Sequence, residues 1–445
     1  MRFTVADLAA ALTARDLQGR VSRLVGPDVV VDGATFDSRD VRPGQLFVPL
    51  VAERDGHDFI GDALAAGATA YLTSRPEVIA RFGGSAVLVP DTAEALIDAA
   101  GWVRTLFPAS TVVVGVTGSV GKTTTKDLVA AAVSSELSTT ANVRSFNNEQ
   151  GLPVTILNAS ADTRVLVLEM GMRGFGQIAD LCRIARPSIG VVTRVGEAHT
   201  ELVGGIEGVA RAKGELVEAL PPQGYAVLNA DDDRVRSMAH RTSAPVISFG
   251  EAVDADVRID GLRLDDSGCA SFRLVTKDES IPIRLLIPGR HTAANAAAAF
   301  AVGRALGVSS GAMAEALGRA TVSERRMQMR RTRSGATLVD DSYNANPTSM
   351  EAALRTLADL RADRRVAVLG VMAEIDDVEG GHARMRELAD ELGIETVAVG
   401  TPHYGIAPVS LEKAIDLVAG FDSGVAVLVK ASRSAGLDRV VDAVV

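Results

Sequence analysis

The stretch GVTGSVGKTTTK, Gly115 to Lys126, constrains this chain more than any other. The run before and into it, TVVVGV (Thr111–Val116), is short, β-branched and uninterrupted, as expected of a strand buried on both faces. The residues after it, KTTTKDLVAAAV, are good helix formers with apolar side chains at helical spacing. A strand that enters a glycine loop and leaves as a helix aims backbone N–H groups and a positive dipole end at one point, which suits an anion. Five residues separate Gly115 from Gly121, one more than the usual P-loop spacing, so Gly118 supplies the tight turn. Gly118, Ser119, Val120, Gly121, Lys122, Thr123 and Thr124 are therefore expected to cradle nucleotide phosphates. Lys122 would reach the β- and γ-phosphates, and the Thr123 hydroxyl would sit on Mg²⁺. A chance GKT in a glycine loop would lack this strand and helix context.

Strand and helix patterns alternate beyond the loop. TRVLVLEMG, SIGVVTRVG and GYAVLNADD read as strands, with FGQIADLCRIA and IEGVARAKGELVEAL as helices between them. That rhythm predicts parallel strands with crossover helices. DVRIDGLRL, ASFRLVTK and IPIRLLIP alternate in polarity and read as an antiparallel flap, followed by the alanine-rich helix HTAANAAAAFAVGRALG. The first ~108 residues mix short strands (VVVDGATFDS, GQLFVPL, ATAYLTS, AVLVP) with helical stretches, up to Pro108. From about Thr321, four strand-like runs (ATLVDDSY, RVAVLGVM, ETVAVG, GVAVLVKAS) predict a further Rossmann-like unit. The expected fold class is α/β with three domains: a small mixed N-terminal one (1–108), a central P-loop parallel-sheet ATPase domain (109–319) and a C-terminal Rossmann-like one (320–445).

A chain of 445 residues fits about three domains of ~150 residues. Net charge is −10, which argues against nucleic acid as the main partner. The opening MRFTVADLAAALTARDL carries Asp7, Arg15 and Asp16 and does not read as a signal peptide. No run approaches the ~20 apolar residues of a membrane span, so a cytoplasmic location is expected. Cys182 and Cys269 stand far apart and suggest neither a disulfide framework nor a cysteine metal site. Of 46 basic residues only six are lysine: Lys122, Lys126, Lys213, Lys277, Lys413 and Lys430. Where lysine persists in such an arginine-rich chain, the position can require an amine. Lys277 and Lys413 lie in surface-like stretches and read as accidents.

Several side chains then fall where ligands collect in an open α/β sheet, at the carboxyl ends of strands. Glu169 ends VLVLE, and His199 follows IGVVTRVG; with Thr123 they suit a Mg²⁺ between phosphates and a second substrate. Lys213 lies on a helix soon afterwards. DDSYNANPTSM (Asp340–Met350) packs acid, hydroxyl and amide groups into a turn, which is either plain turn chemistry before Pro347 or the lining of a site. Lys430 and Arg433 in VKASRS follow the last strand and suit an anion, with a solvated charge pair as the alternative.

TGSVGKTT, NNEQGLPVTIL, the Glu169 strand end, GEAHTELVGGIEGVARAKGE, VLNADDD, GRHTAANAAAA and DDSYNANPTSM occur in the order of the Mur ligases. FDSRDVRPGQLFVPL and RDGHDFIGDALAAGATAYL resemble that family's UDP-binding domain, so the resemblance spans nearly the whole chain. The pair Asn147–Asn148 with SYNANP resembles the type that adds D-Ala-D-Ala to UDP-N-acetylmuramoyl-tripeptide. The resemblance implies an ATP- and Mg²⁺-dependent amide ligase working through an acyl phosphate in peptidoglycan precursor synthesis, and a monomer. It implies catalytic roles for Lys122, Glu169, His199 and Lys213, with Thr123, Glu169, His199 and Lys213 at metal. In many relatives the lysine matching Lys213 is carbamylated. Asn295, Arg326 and Asp341 would contact nucleotide, and Ser38 and Arg39 the uridine end. Asn148 and Thr155 would line the muramoyl side; Asn344, Asn346, Lys430 and Arg433 would serve the acceptor side.

This chain departs from the family pattern at four places. The family usually has HN at His291–Thr292, glycine at Arg325, an acid at Val371, and KGSR at Lys430–Arg433. Val371 and Ala431 fall in the domain expected to receive the amine. The alternatives are a related ligase coupling another amine, and a nucleotide-dependent binding protein without ligation.

Overall fold

The computed structural model describes every residue except Leu17, Arg144, Ser145 and His199. The chain divides into two compact units. One comprises Met1–Val114, Ser138–Met170 and Ala179–Pro187; the other comprises Gly115–Leu137, Gly171–Ile178 and Ser188–Val445.

The first unit carries a five-stranded sheet in the order Arg23–Val25, Ser85–Leu88, Ala70–Thr73, Leu46–Phe47, Ala34–Thr35. Its last four strands pair in parallel, and Arg23–Val25 closes one edge antiparallel. Phe47, Tyr71 and Ala86 project from three of these strands onto Ile60, Ala63 and Val78, which excludes water from that face. The helix Thr92–Leu106 begins where the Asp91 carboxylate accepts from Ala93 and Glu94 N–H (2.7 and 2.9 Å), a strong N-cap. The same unit holds Val165–Glu169 in parallel register with Thr139–Ala141.

In the second unit, Ile189–Val192, Tyr225–Asn229, Val246–Gly250 and Val257–Leu264 pair in parallel. Val257–Leu264 also pairs antiparallel with Cys269–Val275, which pairs antiparallel with Ser280–Pro288. The three strands expected as an antiparallel flap do pair antiparallel with one another, and they extend the parallel sheet because Phe249 and Gly250 offer their backbone to Val257 and Arg258. The alanine-rich helix Thr292–Ala305 is buried nearly all round and packs on the P-loop helix Lys122–Ser134. Its small side chains allow that approach.

The same unit ends in a second sheet, ordered Gln328–Arg331, Thr337–Asp340, Val425–Lys430, Arg364–Leu369, Glu395–Ala398. The four expected runs form its parallel strands; Gln328–Arg331 adds an antiparallel edge whose polar sequence carried no strand pattern. Alternation decides the layers. Ala367, Leu369, Ala426 and Leu428 pack with the helices Pro347–Asp359 and Val378–Glu391. Val366, Val368, Val427 and Val429 pack with Leu411–Ala419 and Asp438–Val444 on the opposite face. The helices after the adjacent strands Arg364–Leu369 and Val425–Lys430 therefore lie on opposite faces. Such a switch point opens a crevice at the strands' carboxyl ends, where ligands bind.

Candidate nucleotide and acceptor site

The strand Val112–Thr117 leads into the loop, and Lys122–Ser134 follows as a helix, as the sequence predicts. Gly121 takes φ +80°, and a Cβ there would lie 2.8 Å from Asn295 Oδ1. A Cβ on Gly118, φ +150°, would collide with the Thr193 hydroxyl. Both glycines are required by close approach as well as by backbone angle. Lys122 Nζ donates to the carbonyls of Gly118 (2.9 Å) and Ser119 (3.4 Å), so its charge is held over the loop where a phosphate would bind.

Ser119 has a different task from the phosphate contact expected. Its hydroxyl donates to Gly196 O and accepts from Gly196 N, both at 2.9 Å, and its N–H donates to Arg194 O at 2.7 Å. It ties the P-loop to the segment that precedes His199. The motif VLNADDD braces that segment: Asn229 Nδ2 donates to Thr193 O (2.7 Å), and Asp232 accepts from Val195 N–H (2.9 Å). Asn295 lies behind the loop, accepting from the Thr125 hydroxyl at 3.2 Å. His199 itself is outside the described residues.

Lys213 ends the helix Ile206–Lys213 and is 2% exposed. Burial, with the nearby Lys122 charge, holds its ammonium well below the ordinary lysine range. Among the described residues its amine has no hydrogen bond or ion pair. A buried amine of lowered proton affinity fits conversion to a carbamate, an anionic oxygen ligand of the kind Mg²⁺ takes. No group of three or more His, Cys, Asp or Glu among the described residues is arranged to hold a metal. Glu169, in the first unit, is buried; its Oε1 accepts from Asn147 Nδ2 at 2.7 Å, and its N–H donates to Asn142 Oδ1 at 2.6 Å. Asn147 was visible only as part of a motif, and its role as the orienter of Glu169 emerges from the structure.

Toward the last sheet, Arg326 Nη2 donates to Thr123 Oγ1 at 3.3 Å, and its guanidinium lies 4.2 Å from the Tyr343 ring centre. Arg433 approaches the same ring at 6.0 Å and pairs with Asp438 at 3.1 Å. Asp341 pairs with Lys430, and its other oxygen accepts from Met327 N–H at 3.1 Å. Lys430 Nζ also donates to Asn344 O at 2.9 Å. Lys430 is 1% exposed, and burial lowers its proton affinity despite Asp341. Asn346 is occupied differently: it caps Pro347–Asp359 in a reciprocal box with Ser349.

In the first unit, Ser38 and the exposed Arg39 follow the strand Ala34–Thr35, with Arg39 held by two bonds to Asp37 (2.7 and 2.9 Å). Asn148 accepts from Gly151 N–H at 2.9 Å at the start of the helix Gly151–Asn158. Thr155 donates to Gly151 O within that helix at 3.0 Å.

Fold and site together define an α/β P-loop protein with a second ligand crevice beyond the loop. Three family models match in succession: the Mur ligase family catalytic domain over residues 30–104, the Mur ligase middle domain over 116–303, and the Mur ligase glutamate ligase domain over 325–444. The chain is 37% identical to the UDP-N-acetylmuramoyl-tripeptide–D-alanyl-D-alanine ligase of Mycobacterium tuberculosis, covering 99% of this chain and 98% of that protein. It is 36% identical to the Escherichia coli protein of the same name, covering 94% and 95%. Among solved structures, MurF from Acinetobacter baumannii superimposes with a TM-score of 0.84 at 28% identity, covering 98% and 97%. MurF ligase from Thermotoga maritima in complex with ADP gives 0.78 at 29% identity, covering 93% and 97%. The chain belongs to the Mur ligase family.

Proposed function

We propose that the protein is an ATP-dependent amide ligase that joins D-Ala-D-Ala to UDP-N-acetylmuramoyl-tripeptide in the cytoplasm, as a monomer. Residues 1–108 bind the UDP-sugar portion, 109–319 bind ATP, and 320–445 bind the incoming dipeptide. Full-length identity to relatives named for that reaction supports the reading. The observation that carries it is the buried Lys213 amine lying, in one unit, near enough to the P-loop lysine for the Lys122 charge to lower its proton affinity.

The reaction transfers the γ-phosphoryl group of ATP to the tripeptide carboxylate, then lets the dipeptide amine displace phosphate. Lys122 neutralises charge between the two anions during in-line transfer. Gly118, Val120, Gly121, Lys122, Thr123 and Thr124 hold the remaining phosphates through backbone N–H groups and the helix end, while Ser119 braces the loop. Thr123 and, once carbamylated, Lys213 would hold Mg²⁺ within the second unit, and the ion would supply further neutralisation of the phosphates; Glu169 and His199 are the other residues that the family resemblance assigns to metal. Asn147 keeps the Glu169 carboxylate in one orientation. Lys430, Asn344 and Arg433 line the crevice that receives the dipeptide, with Asp341 fixing the Lys430 amine. No helix among the described residues is long and apolar enough to cross a membrane.

A ligase coupling a different amine is the second reading. It draws on Val371 and Ala431, which stand at the switch point of the last sheet. A phosphate-release assay with and without acceptor separates a ligase from a nucleotide-dependent binding protein. Release that requires both the UDP-tripeptide and an amine, and is lost in Lys122→Ala, supports ligation; release indifferent to the amine contradicts it.

A further inference from the structure

The loop Gly370–Ala373 leaves the strand Arg364–Leu369 at the switch point of the C-terminal sheet, beside Lys430–Ser432. Its backbone is fixed from two sides. From the neighbouring strand end, Ser432 N–H donates to Val371 O at 2.9 Å, and Ala373 N–H donates to Ser432 Oγ at 2.8 Å. From beneath, two buried aromatic side chains take the flanking groups. Tyr404 Oη donates to Gly370 O at 3.0 Å, and His382 Nε2 accepts from Met372 N–H at 2.9 Å.

His382 is fully buried on the helix Val378–Glu391. Because Nε2 accepts, the proton sits on Nδ1, which donates to Val378 O at 2.5 Å. Only the neutral imidazole can make both bonds. Burial lowers the ring's proton affinity, partly offset by the bond to Val378 O and reinforced by the neighbouring His403, in keeping with that neutral form. Tyr404 meets the His382 ring edge-on, with centres 4.9 Å apart, so each ring fixes the other.

We propose that His382 and Tyr404 are positioning residues for the acceptor amine. They hold Gly370–Ala373 in the shape that presents the switch-point crevice to the incoming amine, without touching substrate themselves. The inference rests on the reading that residues 320–445 receive the acceptor. A His382→Phe substitution keeps the ring but strands the buried Met372 N–H, and the loop must move to find another partner. His382→Gln returns an acceptor oxygen near the same place. Tyr404→Phe removes only the bond to Gly370 O.

The test is steady-state kinetics of the full-length enzyme with ATP, UDP-N-acetylmuramoyl-tripeptide and the amine that the wild-type protein uses best in an acceptor panel. Thermal melting is followed in parallel. His382→Phe is expected to raise the acceptor KM about tenfold, the cost of an unpaired buried donor. KM values for ATP and the UDP-tripeptide should stay within about twofold, and His382→Gln should recover most of the loss. Tyr404→Phe should raise the acceptor KM about threefold, and it decides the matter if His382→Phe does not accumulate. Acceptor KM unchanged in a folded variant, or all three KM values rising together with lost thermal stability, overturns the proposal. The wild-type panel separately reports whether D-Ala-D-Ala is the acceptor, so failure of that reading is seen apart from failure of the brace.

Discussion

The Arg326 guanidinium donates to the Thr123 hydroxyl at 3.3 Å, so the segment leading into the last sheet touches the P-loop helix. The same group stacks on Tyr343 from the turn that carries Asn344, linking the loop to the acceptor side. Planarity matters to both contacts. Arg326→Ala should lower kcat/KM for ATP about 100-fold, the loss typical of a charged group at a phosphoryl site. Arg326→Lys should recover little of it, since an ammonium cannot stack as a plane. Full activity in Arg326→Lys would show that charge alone suffices.

Lys213 gives a prediction whose sign follows from its burial. Its folded-state proton affinity is depressed, so the native state holds fewer protons than the unfolded one below the ordinary lysine range. Stability therefore rises with pH across that window and is lost as pH falls. In bicarbonate-free buffer, Lys213→Met should melt at a higher temperature than wild type near neutral pH and show a flatter pH dependence, while being inactive. Lys213→Arg should also be inactive, because a guanidinium forms no carbamate. An active Lys213→Arg enzyme, or a Lys213→Met protein less stable than wild type, would count against this account.

The buried Asp341–Lys430 pair should behave as one object. Removing one partner strands a charge, so Lys430→Met alone should cost about 3–5 kcal/mol in urea denaturation. Removing both charges, in Asp341→Asn with Lys430→Met, should recover most of that stability without restoring turnover. A double variant no more stable than Lys430→Met would show that the pair is not coupled.

Arg325 takes φ +62°, at a position where the family usually has glycine. Its side chain offsets the strain by pairing with Asp438 at 2.8 Å and Asp442 at 3.0 Å. Arg325→Ala loses the pairs and keeps the strain, whereas Arg325→Gly loses the pairs and relieves it. The glycine variant should be the more stable of the two by about 1 kcal/mol in denaturant titrations. Equal stabilities would mean that the backbone angle carries no cost.

The legible parts of this molecule were those written in local pattern. The P-loop could be read because strand, glycines and helix are contiguous. Lysine scarcity sorted the six lysines usefully: Lys126, Lys213 and Lys430 are buried, while Lys277 and Lys413 are exposed. The parallel strands of the last sheet were visible as β-branched runs, but Gln328–Arg331 was not, since an edge strand needs no apolar face. Ser119 shows where motif reading stops: its hydroxyl is committed to Gly196, a residue distant in sequence. The His382–Tyr404 brace was equally hidden. Neither residue belongs to a local signature, and their meaning comes from two loops that meet only after the sheet has formed.

Acceptor choice is where the account is most exposed, because Val371 and Ala431 depart from the family pattern at the crevice itself. Phosphate release should be measured with ATP, Mg²⁺ and UDP-N-acetylmuramoyl-tripeptide against a panel of D- and L-amino acids and dipeptides. Strong release with D-Ala-D-Ala and little with any single amino acid is expected, because Arg433 and the turn carrying Asn344, held by the buried Lys430, remain at the crevice to take a dipeptide's ends. Preference for a single amino acid over D-Ala-D-Ala would contradict the proposed function, while leaving membership of the Mur ligase family intact.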